Sequence, residues 1–146
     1  MKDDQLRVKS HLQVQTDLTA LTVVLEWLEK IVLPLLPHHL WWECQLILNE
    51  GFTNAVRHAH QNLPPATPID LEVKVFANSL EILIWDCGQP FNLEEKLQLI
   101  LKQPSDPLES EGGRGLLFMQ KLTDELSYIR TSDHRNCLVM RKSIIC

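Results

Sequence analysis

The chain begins with alternating apolar and polar residues and then changes to a helical spacing. Between residues 6 and 14 the apolar side chains fall on every second position with one irregularity, which predicts a half-buried strand at a sheet edge. From Thr16 or Asp17, either of which can cap a helix, leucines and Val32 recur at spacings of three and four until Pro34. An edge strand followed by an amphipathic helix is therefore expected.

A second helix is predicted from residue 38 or 39 to about residue 60, after the helix-breaking prolines of "PLLP". Its apolar stripe contains small residues, which would let the helix lie close against a sheet; the stripe consists of Cys44, Leu48, Gly51, Ala55 and Ala59. Glu50, Asn54 and His58 also recur at intervals of four, so their side chains share one helix face. A solvated polar stripe is the ordinary explanation of such a trio, and a functional role needs support from elsewhere.

The middle of the chain is predicted to form a β-hairpin. A proline-rich loop at residues 61–68 is followed by strict alternation over residues 69–75, which is typical of a strand with one buried face. The stretch "LEILIW", which follows Asn78 and Ser79, is apolar at nearly every position and is predicted to be a central strand. Asp86 stands at the end of this strand.

The last third of the chain is predicted to contain a variable segment, a helix and two strands. Residues 93–101 could form a short helix, but the prolines and acidic residues that follow favour a mobile segment within residues 87–111. After "GGRG" a helix is expected, with apolar positions at Leu117, Phe118, Leu122 and Leu126. The stretches "LSYIRT" and "CLVMRKSII" flank a turn and are expected to be the last two strands.

Composition narrows the class of protein without selecting a function. With 146 residues, of which 45% are hydrophobic, the chain is expected to fold as one domain, residues 1–146. The formal net charge of −5 and the absence of a Lys/Arg cluster argue against direct nucleic-acid binding and suit a basic protein partner. The long apolar stretches are interrupted, so no membrane span is expected. Four widely spaced cysteines favour reduced thiols and a cytoplasmic location.

Two further motifs are candidates for binding chemistry. "DCGQPF", residues 86–91, places an aspartate and a glycine at a strand end, where they could also form an ordinary turn. "EGGRGLLF", residues 111–118, places glycines before a helix, where unpaired N–H groups and the helix dipole favour an anion such as phosphate. Arg114 could add a bidentate contact, although a flexible start to the helix is the simpler explanation. Neither the Walker pattern nor the dinucleotide fingerprint is present.

The order of these motifs resembles the GHKL ATPase fold and, more narrowly, the serine-kinase anti-sigma factors of the RsbW and SpoIIAB kind. The shared order is a helix with Glu-x-x-x-Asn, a hairpin ending in Asp-x-Gly-x-Pro-Phe, a long loop, Gly-Gly-x-Gly-Leu, a helix and two strands. The resemblance covers nearly the whole chain. It implies an α+β, two-layer α/β sandwich of the GHKL (Bergerat) type, with a mixed sheet packed on about three helices.

The resemblance also implies roles for individual residues. Asn54 corresponds to the asparagine that coordinates a Mg²⁺ ion bridging the ATP phosphates, and Glu50 to the proposed general base. Asp86 corresponds to the aspartate that recognises the adenine amino group, and residues 89–111 to the ATP lid. The other positions implied to contact ATP are Arg57, His58, Gly88, Gly112, Gly113, Arg114, Gly115 and Leu116.

Two positions depart from the family pattern. Ala59 stands where family members often carry glycine, and Cys137 is expected at the position of a threonine near the adenine. Neither change removes a charge or a metal ligand. The departures therefore affect the expected details of nucleotide contact more than the expectation of ATP binding.

The function implied by the resemblance is that of an anti-sigma factor and protein-serine kinase. With ATP and Mg²⁺ as cofactors, such a protein phosphorylates a STAS-type anti-anti-sigma partner and otherwise sequesters a sigma factor; a homodimer is a further expectation. Two alternatives stay open. The chain could be a histidine-kinase-like catalytic domain acting in trans, or a catalytically silent module in which ATP controls a protein interface.

Overall fold

The computed structural model describes residues 5–102 and 111–144, with side chains for residues 5–99 and 115–144. Within these ranges the chain forms an α+β sandwich of one sheet and one layer of helices. In chain order its strands and α-helices are β1 Leu6–Gln15, α1 Leu21–Val32, α2 His38–Asn54, β2 Pro68–Phe76, β3 Ser79–Asp86, α3 Leu93–Lys102, α4 Glu111–Leu122, β4 Glu125–Arg130 and β5 Asn136–Ser143.

The five strands are arranged in the order β1-β2-β3-β5-β4. The nearly continuous apolar sequence of β3 thus lies at the centre of the sheet, as predicted. The predicted two-layer sandwich is confirmed. All four strand pairings among the described strands are antiparallel, so the sheet is not mixed. The helical layer contains four α-helices in the described ranges, because the short predicted helix near residues 93–101 is present as α3.

The core lies between one face of the sheet and the helices. On β2 the alternating residues Ile69, Leu71, Val73 and Val75 are buried on this face. Helix α1 contributes Val24, Leu28 and Val32, which are fully buried at the predicted helical spacing. Asp17 caps the short 3₁₀ turn that leads into α1, since its carboxylate accepts the Thr19 amide N–H over 2.9 Å. In the described part of the chain, no helix is long and apolar enough to cross a membrane.

The small residues of α2 bring this helix close to the sheet. A Cβ atom on Gly51 would lie 2.8 Å from Cδ1 of Ile84 on β3 and 3.3 Å from Leu138 on β5. The helix then continues as one π-helical turn, Ala55–Ala59, closed by a hydrogen bond of 2.9 Å from the His60 amide to the Ala55 carbonyl. Single π turns of this kind are frequent at functional sites.

Helix α4 begins earlier than the sequence analysis predicted. It starts at Glu111, so Gly112, Gly113 and Gly115 lie within its first turns and not in a separate turn ahead of it. Glycine raises the entropic cost of forming a helix but has no steric conflict with helical geometry. Favourable interactions of neighbouring residues can therefore extend a helix over glycines. The prediction of a glycine-rich turn preceding the helix is therefore wrong for the described backbone.

Candidate functional site

A pocket of about 290 Å³ lies between the end of α2, the end of β3 and helix α4. Among its lining residues are Asn54 and His58 from the α2 segment, Asp86 from β3 and Leu116 from α4. These four predicted site residues come from three separate parts of the chain, and the fold brings them to one cavity. Its floor is apolar, because Ile84 and Leu138 of the adjacent strands β3 and β5 point to this face of the sheet. A flat apolar group with polar edges would suit such a cavity.

Asp86 is a buried carboxylate held in a fixed orientation. Its side chain lies at the C-terminal end of β3, where the residue is only 4% exposed. The Gly88 amide N–H donates to Oδ1 over 2.8 Å, and Nδ2 of Asn136 donates to the same oxygen over 2.9 Å. Both bonds go to Oδ1, and among the described residues no hydrogen bond is made to Oδ2. A buried carboxylate with one oxygen fixed and the other available is well suited to accept a ligand N–H.

Asn136 is the residue that orients Asp86, and the sequence analysis missed it. It lies directly opposite Asp86 in the β3–β5 pairing, and its Nδ2 also donates to the Gly88 carbonyl over 2.8 Å. Arg130 supports it, since Nη1 donates to Oδ1 of Asn136 over 3.2 Å and to the Gly88 carbonyl over 3.3 Å. A buried amide with all these partners fixes both Asp86 and the turn that follows.

Cys137, which was expected beside the adenine, does not stand next to Asp86. It is paired with Trp85, one residue before Asp86, and successive strand residues point to opposite faces of the sheet. Burial raises the pKa of its thiol to about 11, so the thiol stays neutral. The prediction for Cys137 is wrong by one position, because strand register was not readable from the sequence.

Gly88 allows the turn after β3 to pack on the end of α2. A Cβ atom at this position would lie 2.1 Å from the Ala59 carbonyl oxygen and 2.8 Å from the carbonyl carbon. These are backbone atoms that cannot rotate away. The absence of a side chain at Gly88 therefore lets the turn that follows Asp86 contact the Ala59 backbone. Any side chain at this position would force the turn to move.

Glu50 lies beside the first turns of α4. A Cβ atom on Gly115 would be 2.5 Å from Oε2 of Glu50, so the carboxylate occupies the space that a side chain at residue 115 would need. Glu50 precedes Asn54 by one helical turn and is half-buried. The glutamate is thereby placed next to the predicted phosphate-binding segment, adjoining the pocket that Asn54 lines.

The remaining predicted site residues lie in the π turn after α2 and in the first turn of α4. His58 is exposed and lines the pocket, whereas Arg57 is exposed and is not among its lining residues. Gly112, Gly113 and Arg114 lie in the first turn of α4. The contacts expected of the Arg114 side chain fall outside the described side chains, as does the part of the predicted lid at residues 103–110.

One wall of the pocket is aromatic. The rings of Phe91 and Tyr128 have centroids 4.4 Å apart, and Nζ of Lys96 lies 4.9 Å from the Phe91 centroid. All three residues line the cavity. Phe91 belongs to the "DCGQPF" motif, but Lys96 and Tyr128 carried no sequence signal of their own, since a lysine on a helix and a tyrosine in a strand are common surface residues.

The Tyr128 hydroxyl is buried without a partner. Among the described residues it is the one buried side-chain oxygen or nitrogen atom that forms no hydrogen bond. Burial raises the pKa of Tyr128 above its usual range, and the negative charge of Asp86 adds to this effect. A buried hydroxyl is costly when unpaired, and Tyr128 lines the pocket, so its hydroxyl is a candidate contact for a ligand.

The described residues do not offer a metal site built from protein groups alone. They contain no group of three or more His, Cys, Asp or Glu side chains that could hold a metal ion. A Mg²⁺ ion often takes only one or two protein ligands and completes its shell with phosphate oxygens and water. The Asn54 amide oxygen fits a site of this second kind.

The chain is similar in sequence to a known family and to several known proteins. The model of a family described as the histidine kinase-like ATPase domain matches residues 14–142. A "Serine-protein kinase RsbW" from Bacillus subtilis (strain 168) is 32% identical over 100 residues, which cover 66% of this chain and 60% of the relative.

Two further proteins of that name have a similar sequence identity to this chain. The one from Bacillus velezensis is 34% identical over 87 residues, covering 58% of this chain and 54% of the relative. The one from Staphylococcus epidermidis is 29% identical over 93 residues, covering 62% and 58%. The matched segments thus span between 54% and 60% of the length of these curated relatives.

Proposed function

The chain belongs to the histidine kinase-like ATPase domain family, and on that premise we propose that its pocket binds ATP for phosphoryl transfer to a protein serine. The observation that carries the proposal is the meeting of Asn54, His58, Asp86 and Leu116 around one cavity, from three separate parts of the chain. In this proposal residues 1–146 act as a single ATP-binding kinase domain.

The adenine occupies the end of the pocket formed by β3 and β5. Its amino group donates to Asp86, whose orientation is fixed by Asn136 and the Gly88 amide. The base lies on the apolar floor that Ile84 and Leu138 provide. A carboxylate aimed at an exocyclic amino group selects adenine over guanine, which presents a carbonyl oxygen at that position and would leave two acceptors facing each other.

The phosphates occupy the end between α2 and the start of α4. Asn54 would supply an amide oxygen to a Mg²⁺ ion, and the ion would neutralise phosphate charge. The first turn of α4, with Gly112, Gly113 and Arg114, forms the phosphate-binding helix start, where unpaired N–H groups and the helix dipole favour anions. Gly115 and Leu116 follow one turn later and border this site. Arg57 and His58 add positive or hydrogen-bonding groups from the π turn.

Phosphoryl transfer uses Glu50 as the general base. The serine Oγ forms a bond to the γ-phosphorus while the bond from that phosphorus to the β,γ-bridging oxygen breaks, leaving ADP and a phosphoserine. The serine proton passes to the Glu50 carboxylate. The position of Glu50 against Gly115 supports this role, because it puts the base beside the helix start proposed to hold the phosphates.

The proposed partners are those implied by the family resemblance, which the relatives named as RsbW serine-protein kinases support. The serine belongs to a STAS-type anti-anti-sigma protein, and the chain otherwise sequesters a sigma factor as an anti-sigma factor, acting as a homodimer. Phosphorylation adds charge to the STAS protein and releases it, which frees this protein for the sigma factor. The formal net charge of −5 suits a basic surface on a protein partner.

A phosphorylation assay tests the proposal. Radiolabelled ATP is incubated with STAS-domain proteins and either the wild type, Glu50→Gln, or Glu29→Gln, which makes the same chemical change at an exposed position of α1. We expect acid-stable phosphoserine with the wild type and Glu29→Gln, and a loss of about a hundredfold or more with Glu50→Gln.

Other outcomes identify the alternatives. Acid-labile phosphate on a histidine would identify a histidine-kinase-like domain acting in trans. ATP binding without any transfer by the wild type would identify an ATP-gated binding module. Either result would reject the serine-kinase proposal.

A further inference from the structure

His60 is a buried histidine that follows the π turn at the end of α2 and does not line the pocket. The residue is only 2% exposed, yet both of its ring nitrogens form hydrogen bonds. The Cys87 amide N–H donates to Nε2 over 2.8 Å, and Nδ1 lies 2.7 Å from Oγ1 of Thr16. The imidazole thus joins the turn after β3 to Thr16, the residue that directly follows β1.

The hydrogen-bond partners define the tautomer of His60. A backbone amide can only donate, so Nε2 must carry a lone pair and no proton. The Thr16 hydroxyl donates its hydrogen to the Thr67 carbonyl over 2.7 Å, so its oxygen accepts from an Nδ1–H group. His60 is therefore neutral and protonated on Nδ1. An imidazolium ion would set an Nε2–H group against the Cys87 N–H group.

Thr16 is itself held by the proline-rich loop. Its amide donates to the Pro65 carbonyl over 3.0 Å, in addition to the bond from its hydroxyl to Thr67. Thr16 is thus anchored at two points of residues 61–68. The hydroxyl that sets the His60 tautomer has little freedom to turn away.

The amide that His60 accepts belongs to the turn that carries Asp86. Cys87 lies between Asp86 and Gly88, and the described bonds that hold these two residues come from Asn136 and Arg130 on the β4–β5 side and from within the turn. His60 holds the same turn from the α2 side, where Gly88 packs against Ala59. The Asp86 carboxylate is consequently fixed between two supports on opposite sides.

We propose that His60 is a positioning residue for the nucleotide site: in its Nδ1–H form it holds the Cys87 amide and so sets the direction of the Asp86 carboxylate, and Thr16 keeps it in that form. This inference rests on the proposed binding of ATP at Asp86. It assigns to a side chain outside the pocket an effect on affinity for the adenine base.

The test compares ATP affinity in four variants of the full chain by titration calorimetry with Mg²⁺. His60→Leu removes the acceptor for Cys87, whereas His60→Gln retains an amide oxygen that can accept and an amide N–H that can donate to Thr16. Thr16→Val leaves the imidazole in place but removes the group that selects its tautomer. Leu28→Ala is the control for stability alone, since Leu28 is fully buried on α1 and does not line the pocket.

The loss of one buried hydrogen bond to the turn should weaken ATP binding by about tenfold in His60→Leu and by about threefold in Thr16→Val. His60→Gln should bind ATP within about threefold of the wild type. Leu28→Ala should lower the melting temperature without changing the dissociation constant. If His60→Leu does not fold, the ATP affinities of Thr16→Val and His60→Gln still test the proposal.

A spectroscopic readout separates this proposal from ATP binding itself. In ¹⁵N NMR spectra of the wild type, His60 should show a protonated Nδ1 and an unprotonated Nε2. The Cys87 amide should exchange slowly with solvent in the wild type and His60→Gln, and at least about tenfold faster in His60→Leu and Thr16→Val.

Two results would overturn the inference. One is ATP affinity in His60→Leu or Thr16→Val that equals the wild type, or that falls no further than in Leu28→Ala at equal loss of stability. The other is a His60 ring protonated on Nε2. If the wild type binds no ATP, the proposed function fails and with it the role in affinity, while the exchange of the Cys87 amide shows whether His60 holds the turn.

Discussion

Asn136 lies directly opposite Asp86 across strands β5 and β3, and its side-chain amide donates to the Asp86 carboxylate over 2.9 Å. Asn136 is fully buried, and Asp86 is nearly so. The carboxylate that lines the pocket is therefore oriented by a neighbouring strand before any ligand arrives. Such preorganisation reduces the ordering that binding would otherwise require.

Replacing Asn136 should weaken ATP binding. Asn136→Ala removes the side-chain donor to Asp86 and leaves the carboxylate held through the Gly88 amide, so we expect about a tenfold loss of affinity by calorimetry. Cys137→Ala is the matched control, because it shortens the next side chain on the opposite face of the same strand. A comparable loss of affinity in both variants would contradict the orienting role of Asn136.

Tyr128→Phe should leave the free protein at least as stable as the wild type. The change removes a buried hydroxyl that forms no hydrogen bond among the described residues and keeps the tilted ring contact with Phe91. In thermal unfolding without ATP we expect no loss of stability. With saturating ATP the variant should gain less stability than the wild type, because the nucleotide is expected to pair with the hydroxyl. A destabilisation above about 1 kcal/mol without ATP would show that the hydroxyl already has a partner.

Two glycine substitutions should have different consequences. In Gly88→Ala the new methyl group meets the Ala59 backbone, so we expect a loss of about 2–3 kcal/mol in the free energy of unfolding. In Gly115→Ala it meets the end of the Glu50 side chain, which can rotate away. Stability should change less, while phosphoryl transfer falls because Glu50 is displaced.

Denaturant unfolding and the phosphorylation assay measure the two effects. Gly115→Ala should retain ATP binding within about threefold, since the clash is with Glu50 and not with the pocket. Full transfer activity in Gly115→Ala would argue against Glu50 as the general base. Equal stability of Gly88→Ala and the wild type would show that the turn can move away from Ala59.

Lowering the pH should destabilise the protein through His60. Burial lowers the pKa of the His60 imidazole, and the Asp86 charge opposes this effect only in part. In the unfolded chain the His60 imidazole takes up a proton at about pH 6.5, while in the native protein it stays neutral at that pH. The contribution of His60 is therefore complete above that pH and is lost as the pH falls towards the native pKa.

The charged surroundings of His60 are limited. The turn after β3 contains Asp86 and the Cys87 thiol, and Asp17 follows Thr16 after β1. The π turn contains Arg57 and His58, whereas residues 61–67 contain no titratable side chain. Between about pH 7.5 and about pH 5.5 the wild type should lose more stability than His60→Gln, as measured by urea unfolding. Parallel pH profiles of the two proteins would contradict a neutral, buried His60.

Much of the fold could be predicted from local patterns. The continuous apolar sequence of β3 indicated a central strand, and the small residues of α2 indicated close contact with the sheet, which the packing of Gly51 on Ile84 confirms. Asn54 and His58, which are four residues apart, both line the pocket, and Glu50, one helical turn earlier, lies beside Gly115. These features depend on residues close in sequence.

The unpredicted features depend on contacts between distant segments. Asn136 and Cys137 are adjacent, and the register of β5 decides which of them faces Asp86; a shift by one residue would exchange them. The turn between β4 and β5, in which the Thr131 amide donates to the Arg135 carbonyl over 2.7 Å and His134 adopts a φ of 64°, sets the pairing of those two strands. The β3–β5 register instead joins segments that are far apart in the sequence. The roles of Tyr128 and His60 likewise depend on burial by other segments, which no local pattern encodes.

The most direct test of the account is titration calorimetry of ATP into the wild type and Asn54→Ala, each with Mg²⁺ and with EDTA. Asn49→Ala is the control, because it makes the same change earlier on α2 and, among the described residues, removes a single hydrogen bond, the one from Thr53. We predict Mg²⁺-dependent binding by the wild type and Asn49→Ala, and a loss of about tenfold or more in Asn54→Ala. A folded wild type that binds no ATP, or an Asn54→Ala variant with unchanged Mg²⁺-dependent affinity, would contradict the proposed nucleotide site.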